Sequence, residues 1–235
     1  MDTQLASMLG RADELLMELE DEYNNCLKAQ NITERAKNLT HEVLEKLRSA
    51  LDHTMVIAWN KYIAPNLSEQ DKSRARVYFP TVGNLNALRS TLGRGCMANL
   101  DEVHKNLYDF VLKQQPFSSG ENQWLDLLAQ IAAEGKHVRL TPQKRKENYR
   151  IKVSRPEGGS VSLDPSSVRF GHGVSVMGAP IDPMTQRIVP TPGVTEQAET
   201  WVSFIFESYE INALGFCKDA CQETRVLIKE MLSII

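Results

Sequence analysis

The stretch from Thr33 to Ala64 constrains the fold more than any other part of the chain. Ala36, Val43, Leu44, Leu47, Leu51, Met55, Ala58 and Tyr62 recur there at three- and four-residue intervals, the period of an amphipathic helix with one buried stripe. Thr33 followed by Glu34 marks a start. Pro65 disfavours continuation past Ala64, because it lacks an N–H donor and crowds the preceding residue. At about 1.5 Å per residue the predicted helix is about 48 Å long. A helix of that length needs a long partner for its apolar stripe. Leu5 to Ala29 supplies one, with Leu5, Met8, Leu9, Ala12, Leu15, Leu16, Leu19, Tyr23 and Cys26 at the same spacing. The two should form an antiparallel hairpin joined near Gln30-Asn31.

Downstream, Asn66 to Phe79 reads as an exposed connection with at most one helical turn, ending in an extended Val77-Tyr78-Phe79 before Pro80; Arg74 and Arg76 within it are candidate contacts to RNA phosphates, with a solvated loop as the simpler reading. Asn84 to Leu92 and Met97 to Leu112 read as helices broken by Gly93-Arg94-Gly95, with His104 on the polar face of the second. Glu121 to Glu134 is a further helix, with Trp124, Leu127, Leu128 and Ile131 inward and Gly135 as its cap. From Val138 the period changes to two. Tyr149 to Val153, Val161 to Leu163, Val168 to Phe170 and Val174 to Val176 alternate apolar and polar, extended by Ile188-Val189 and Trp201 to Tyr209. Pro156, Gly158-Gly159, Asp164-Pro165, Gly171 to Gly173 and Asp182-Pro183 supply turns. Asn212 then caps a final helix whose apolar face includes Ala213, Phe216, Cys217, Ala220, Cys221, Leu227, Ile228 and Met231. The expected fold class is α+β: an N-terminal long-helix hairpin and helical bundle, an antiparallel β-meander of about five or six strands, and a C-terminal helix. The expected divisions are 1–137, 138–211 and 212–235, with the last helix packing back on the bundle as part of one domain.

Composition excludes some classes. A formal net charge of −3 over 235 residues gives no general steering toward nucleic acid or membrane, so any basic groove must be local. No apolar run approaches the length of a membrane span. The start, Met1-Asp2 with Asp13, Glu14 and Glu18 following, lacks the basic and apolar regions of a signal peptide. Cys26, Cys96, Cys217 and Cys221 are too scattered for a disulfide framework. Cytoplasmic residence in a bacterium is the expectation. No nucleotide-binding loop, zinc signature or nucleophile elbow is present, and no cofactor or metal is expected.

Residues able to do chemistry concentrate at Arg48-Ser49-Ala50-Leu51-Asp52-His53. Arg48 and Asp52 are one helical turn apart, within reach of each other beside His41, Glu45 and Trp59 at the edge of the buried stripe. His53 falls on the polar side with Glu42, Lys46, Ser49 and Asn60. One reading makes Arg48–Asp52 a structural ion pair and His53 a surface histidine. The other makes Arg48 a bidentate clamp on phosphate charge and His53 a general acid/base titrating near neutral pH. Lys136-His137, where helix gives way to strand, and Lys144 and Arg145, in the basic run Thr141 to Lys146 with Tyr149 close behind, are candidate RNA contacts. Against that, Lys136 and His137 serve equally as cations at a helix C-terminus, and the basic run as a solvated approach to a strand. Cys217 and Cys221, one turn apart, read as buried small hydrophobes.

The Arg48–His53 spacing resembles the Arg-x4–6-His signature of HEPN-type ribonucleases. These helical proteins of toxin–antitoxin and phage-defence systems act on RNA phosphodiesters without a metal, usually across a dimer cleft. The resemblance implies His53 as acid/base, Arg48 as clamp, Asp52 orienting the arginine, and a homodimer. Where that family usually has asparagine, aspartate or histidine after the arginine, this chain has Ser49. A longer resemblance runs through Leu47 to His53, Tyr78-Phe79-Pro80, Gln114 to Phe117, Trp124 to Leu128 and Gly135-Lys136-His137. In that order they are similar to a widespread set of uncharacterised bacterial proteins with ordered RSALDH, FP, QPF and KH motifs. This chain departs in having Gly135 before Lys-His and Trp124 before its leucine. Two functions are thus expected as alternatives. One is a non-catalytic interaction module of a defence, phage or stress system, with RNA or an antitoxin-like or defence protein as partner. The other is a HEPN-like metal-independent endoribonuclease.

Overall fold

Both long helices form, each capped by the polar residue in front of it. In the computed structural model α1 spans Thr3–Ala29, and the Asp2 carboxylate accepts the Leu5 N–H at 3.0 Å. Gln30, in the left-handed region at φ 53°, ends it. Helix α2 spans Glu34–Tyr62, with the Thr33 hydroxyl accepting the Ala36 N–H at 3.1 Å. The structure describes residues 2–134, 141–164 and 167–235, the side chains of 198–201 excepted. The apolar stripes face each other: Leu5, Leu15 and Leu19 of α1 and Leu44, Leu47, Leu51 and Met55 of α2 are all essentially inaccessible to solvent. Each such side chain contributes about 2 kcal/mol by leaving water. Thr40 and Thr54, buried within the α2 stripe, return their hydroxyl protons to the Ala36 and Ala50 carbonyls at 2.7 and 2.8 Å.

The shorter helices follow as α3 (Glu69–Arg74), α4 (Leu85–Arg94), α5 (Leu100–Val103), α6 (Lys105–Lys113) and α7 (Gln123–Glu134). The single helix expected over Met97 to Leu112 is two. His104 breaks it with an extended backbone (φ −151°, ψ 79°), and its ring Nδ1 accepts the Leu107 N–H at 3.2 Å as the cap of α6. Its ring also meets Tyr62 edge-on at 4.4 Å between centroids. A residue expected on a solvated face is therefore a joint.

Antiparallel strands β1 (Gln143–Ser154), β2 (Ser160–Leu163), β3 (Ser175–Val176), β4 (Ala179–Asp182), β5 (Arg187–Ile188) and β6 (Thr195–Phe206) precede α8 (Ala213–Ile234). They make two three-stranded sheets, β2-β1-β6 and β3-β4-β5, in place of the continuous meander expected. Turn chemistry explains the second sheet. Met177 and Gly178, at φ 51° and 78°, form a two-residue turn whose twist suits a hairpin between β3 and β4. Asp182 closes the next hairpin by accepting the Met184 N–H and the Thr185 hydroxyl proton, both at 2.9 Å. The strand expected at Val168 to Phe170 does not form. Phe170 instead exchanges both backbone hydrogen bonds with the side-chain amide of Gln186, at 2.8 and 3.0 Å. That amide stands in for a strand partner and satisfies the backbone there.

The chain divides into two units, Met1–Lys144 with Ile205–Ile235, and Arg145–Phe204. The first is the helical unit, in which α8 lies against α1 and α2; Cys217 and Cys221 are buried in α8 as free thiols. Its boundaries lie inside the β-region that the change of period at Val138 suggested, because the roots of β1 and β6 are bound to the helices. Tyr23, buried in α1, donates to the Gln143 side chain. Tyr209 donates to Glu134 at 2.9 Å, the Glu207 N–H donates to the Pro142 carbonyl at 2.9 Å, and the Phe206 ring meets Phe216. In the second unit Ile151, Val153, Ala179, Ile181 and Phe204 are buried.

Candidate functional site

Arg48 and Asp52 together hold one peptide. The guanidinium meets the Asp52 carboxylate at 3.1 Å, donates to the Phe79 carbonyl at 2.5 Å and donates to the Thr81 hydroxyl at 2.8 Å. Asp52 Oδ1 accepts the Phe79 N–H at 2.9 Å. Both backbone groups of Phe79 are thus paired by two side chains one turn apart on α2, and its ring is fully buried. Gln115 completes the arrangement. Its amide nitrogen donates to the Pro80 and Val111 carbonyls at 3.0 and 2.9 Å, and its oxygen accepts the Val82 N–H at 3.2 Å. At 0 % exposure it has no access to water, and these three bonds replace it. The residues of the Arg48, Phe79-Pro80 and Gln115-Pro116 motifs, far apart in sequence, therefore meet around residues 79–82.

Beside this knot lies a cleft of about 360 Å³ lined by Glu45, Arg48, Ser49 and Asp52 of α2, by Tyr78, Thr81 and Val82, and by Ala129, Ala132 and Ala133 of α7. One wall is polar and carries two carboxylates; the other is smooth and small. Trp59, further along the same row of α2, donates to the Gly95 carbonyl at 2.7 Å. A Cβ on Gly95 would lie 2.6 Å from the Met97 methyl, the mobile end of that side chain, and 3.3 Å from the Arg76 carbonyl, so the space beside this glycine is tight.

His53 is placed elsewhere. Its Nε2 lies 3.0 Å from Asp2 Oδ1, the carboxylate that caps α1. The Leu5 N–H first, and His53 second, hold the Asp2 carboxyl below the usual carboxylate range. The structure brings Arg48 and Asp52 together and ties His53 to the start of α1. Lys144 pairs with Glu210 at 2.5 Å and Arg145 with Glu147 at 2.7 Å, so both candidate RNA contacts are matched by acids. Lys136 and His137 lie outside the described residues. Among the described residues no group of three or more His, Cys, Asp or Glu is arranged to hold a metal ion, and no helix is long and apolar enough to cross a membrane.

Reading the chain by motif misses the role of one residue. Gln115 stands inside a motif, yet nothing in its spacing announces a buried three-way amide. Arg74 and Arg76, read from the sequence as candidate phosphate contacts or as part of a solvated loop, belong to a longer run of arginines flanking Tyr78, in a stretch without acids from Lys72 to Leu100. No family model, curated protein or solved structure matches the chain.

Proposed function

We propose that this protein is a non-catalytic interaction module of a bacterial defence, phage or stress system, acting in the cytoplasm through the face of its helical unit that carries the Arg48 cleft. One observation carries the reading: the guanidinium of Arg48 is already engaged by Asp52, Phe79 and Thr81. An arginine that clamps a developing phosphate charge must offer its donor fork to the substrate, and this one offers it to the protein's own backbone. His53, bound to Asp2, is likewise engaged away from Arg48. The HEPN-like spacing then reflects two separate structural duties on one helix.

The competing reading, a metal-independent endoribonuclease using His53 and Arg48 with Asp52 orienting the arginine, rests on the exposure of Arg48 and Asp52 to the cleft. Purified wild-type, His53→Ala and Arg48→Ala proteins incubated with total RNA separate the two. The module reading expects intact RNA throughout, with a lowered melting temperature for Arg48→Ala. RNA cleavage abolished by His53→Ala at unchanged melting temperature overturns it.

A further inference from the structure

The stretch between Asp71 and Asp101 holds Lys72, Arg74, Arg76, Arg89 and Arg94 and no acid, in a chain whose formal net charge is −3. Elsewhere in the helical unit the described arginines are neutralised: Arg11 by Glu14, Arg35 by Glu18, Arg48 by Asp52 and Arg225 by Asp13. Arg74, Arg76, Arg89 and Arg94 are exposed, and among the described residues no carboxylate pairs with any of them. The fold gathers part of this run. The Arg76 N–H donates to the Arg94 carbonyl at 2.9 Å, which sets the non-helical stretch after α3 beside the end of α4. The Arg94 guanidinium reaches the Tyr78 hydroxyl at 3.4 Å. Tyr78 in turn lines the cleft with Glu45, Ser49 and Asp52.

We infer that this surface binds single-stranded nucleic acid, with phosphates on Arg76 and Arg94 and one base stacked at Tyr78 in the mouth of the cleft. The inference deepens the module reading above and rests on it. Guanidiniums without a carboxylate partner attract a polyanion, whereas Glu45, which lines the cleft with Tyr78, repels phosphate there and can accept a hydrogen bond from an uncharged donor. The exocyclic amino group of a base is such a donor. An aromatic ring between an arginine edge and a polar recess is the arrangement by which unpaired bases are taken up, since every base offers a π-face. A duplex keeps that face stacked, so a single strand is the form that fits.

The test is fluorescence anisotropy of a labelled twelve-nucleotide RNA, and of its DNA counterpart, with the full chain at 50 to 250 mM KCl. Arg76→Gln/Arg94→Gln should weaken binding at least tenfold at 100 mM salt. It should also reduce the salt slope by about 1.4, since each phosphate contact on a single strand contributes about 0.7. Tyr78→Leu should weaken binding about tenfold, whereas Arg35→Gln, at an arginine already paired, should leave affinity unchanged. Melting curves accompany each variant. The side chains of Arg76 and Arg94 are exposed, so the double variant decides the matter even if Tyr78→Leu unfolds. Absence of wild-type binding at 50 mM KCl overturns the inference, as does an unchanged salt slope in the double variant. Equal competition by polyglutamate with full binding by Tyr78→Leu also overturns it, in favour of an acidic protein. Cleavage of the bound RNA supports the surface as a nucleic-acid site and overturns the non-catalytic reading alone.

Discussion

Removing the Arg48 side chain strands the Phe79 carbonyl and the Thr81 hydroxyl and takes the neighbouring cation from the Asp52 carboxylate. Arg48→Ala should therefore cost about 2–4 kcal/mol in urea unfolding. Arg48→Lys should recover only part of this, because one ammonium cannot reproduce a fork directed at three acceptors. Gln115→Ala should cost about 2–3 kcal/mol for the same reason, and its effect should not add to that of Arg48→Ala, since both hold the same segment. His53→Ala, with a single partner at the surface, should cost less than about 1 kcal/mol. Of these residues, the Arg48–Asp52 pair was legible from helical spacing, because the partners lie one turn apart. The bond between His53 and Asp2 was not, since it joins residues 51 apart in sequence and depends on how two helices register. Thiol reactivity supplies a further check at this scale. Cys96 is half-exposed, whereas Cys26, Cys217 and Cys221 are buried, and burial pushes the Cys221 thiol up to about 11. One thiol should react quickly with a disulfide reagent at pH 8, a Cys96→Ser variant should lose that fast phase, and the other three should react only on unfolding.

At the scale of elements, the long helices were legible because periodicity and caps agree: Thr33 and Asn212 stand where the pattern places them and accept the expected N–H groups. Thr33→Ala should cost about 1 kcal/mol, measurable by denaturant titration. The break at His104 was hidden, because a histidine on the polar side of a helix has the same pattern as one that caps the next. The sheets were the least legible part. Alternation finds strands but does not say which pair, and Val168 to Phe170 alternates without being a strand because a side chain took the partner's place. Where β6 returns to the helices, burial first and the hydrogen bond to Glu134 second push the Tyr209 phenol up to about 12, from an ordinary 10.0. Above pH 10 the unfolded chain ionises this phenol while the folded chain keeps its proton. Stability present below pH 10 is therefore lost as pH rises toward 12. Tyr209→Phe should flatten the stability profile across that window. At the other end of the scale, Asp2 is held below the usual carboxylate range by the Leu5 N–H and His53. Its contribution is present above the unfolded carboxyl's range and disappears as pH falls below about 4, so Asp2→Ala and wild type should converge in stability on acidification.

For the whole molecule, two stretches, 1–144 and 205–235, make the helical unit, and Arg145–Phe204 is inserted between them. The hydrogen bond from Glu207 to Pro142 keeps the two ends of the insertion close. Replacing Arg145–Phe204 by a short glycine-serine linker should preserve the helical circular dichroism and the sensitivity to Arg48→Ala; loss of cooperative melting would show that the insertion is needed for the helices to fold. The same division affects synthesis. Helix α8 covers α1 and α2, yet the ribosome makes the 60-residue insertion first. At about 5–20 residues per second, that interval is about 3–12 s. During it the nascent hairpin presents to the cell the apolar seam that α8 will later cover, and the time a chaperone has to shield that seam is set by the length of the insertion.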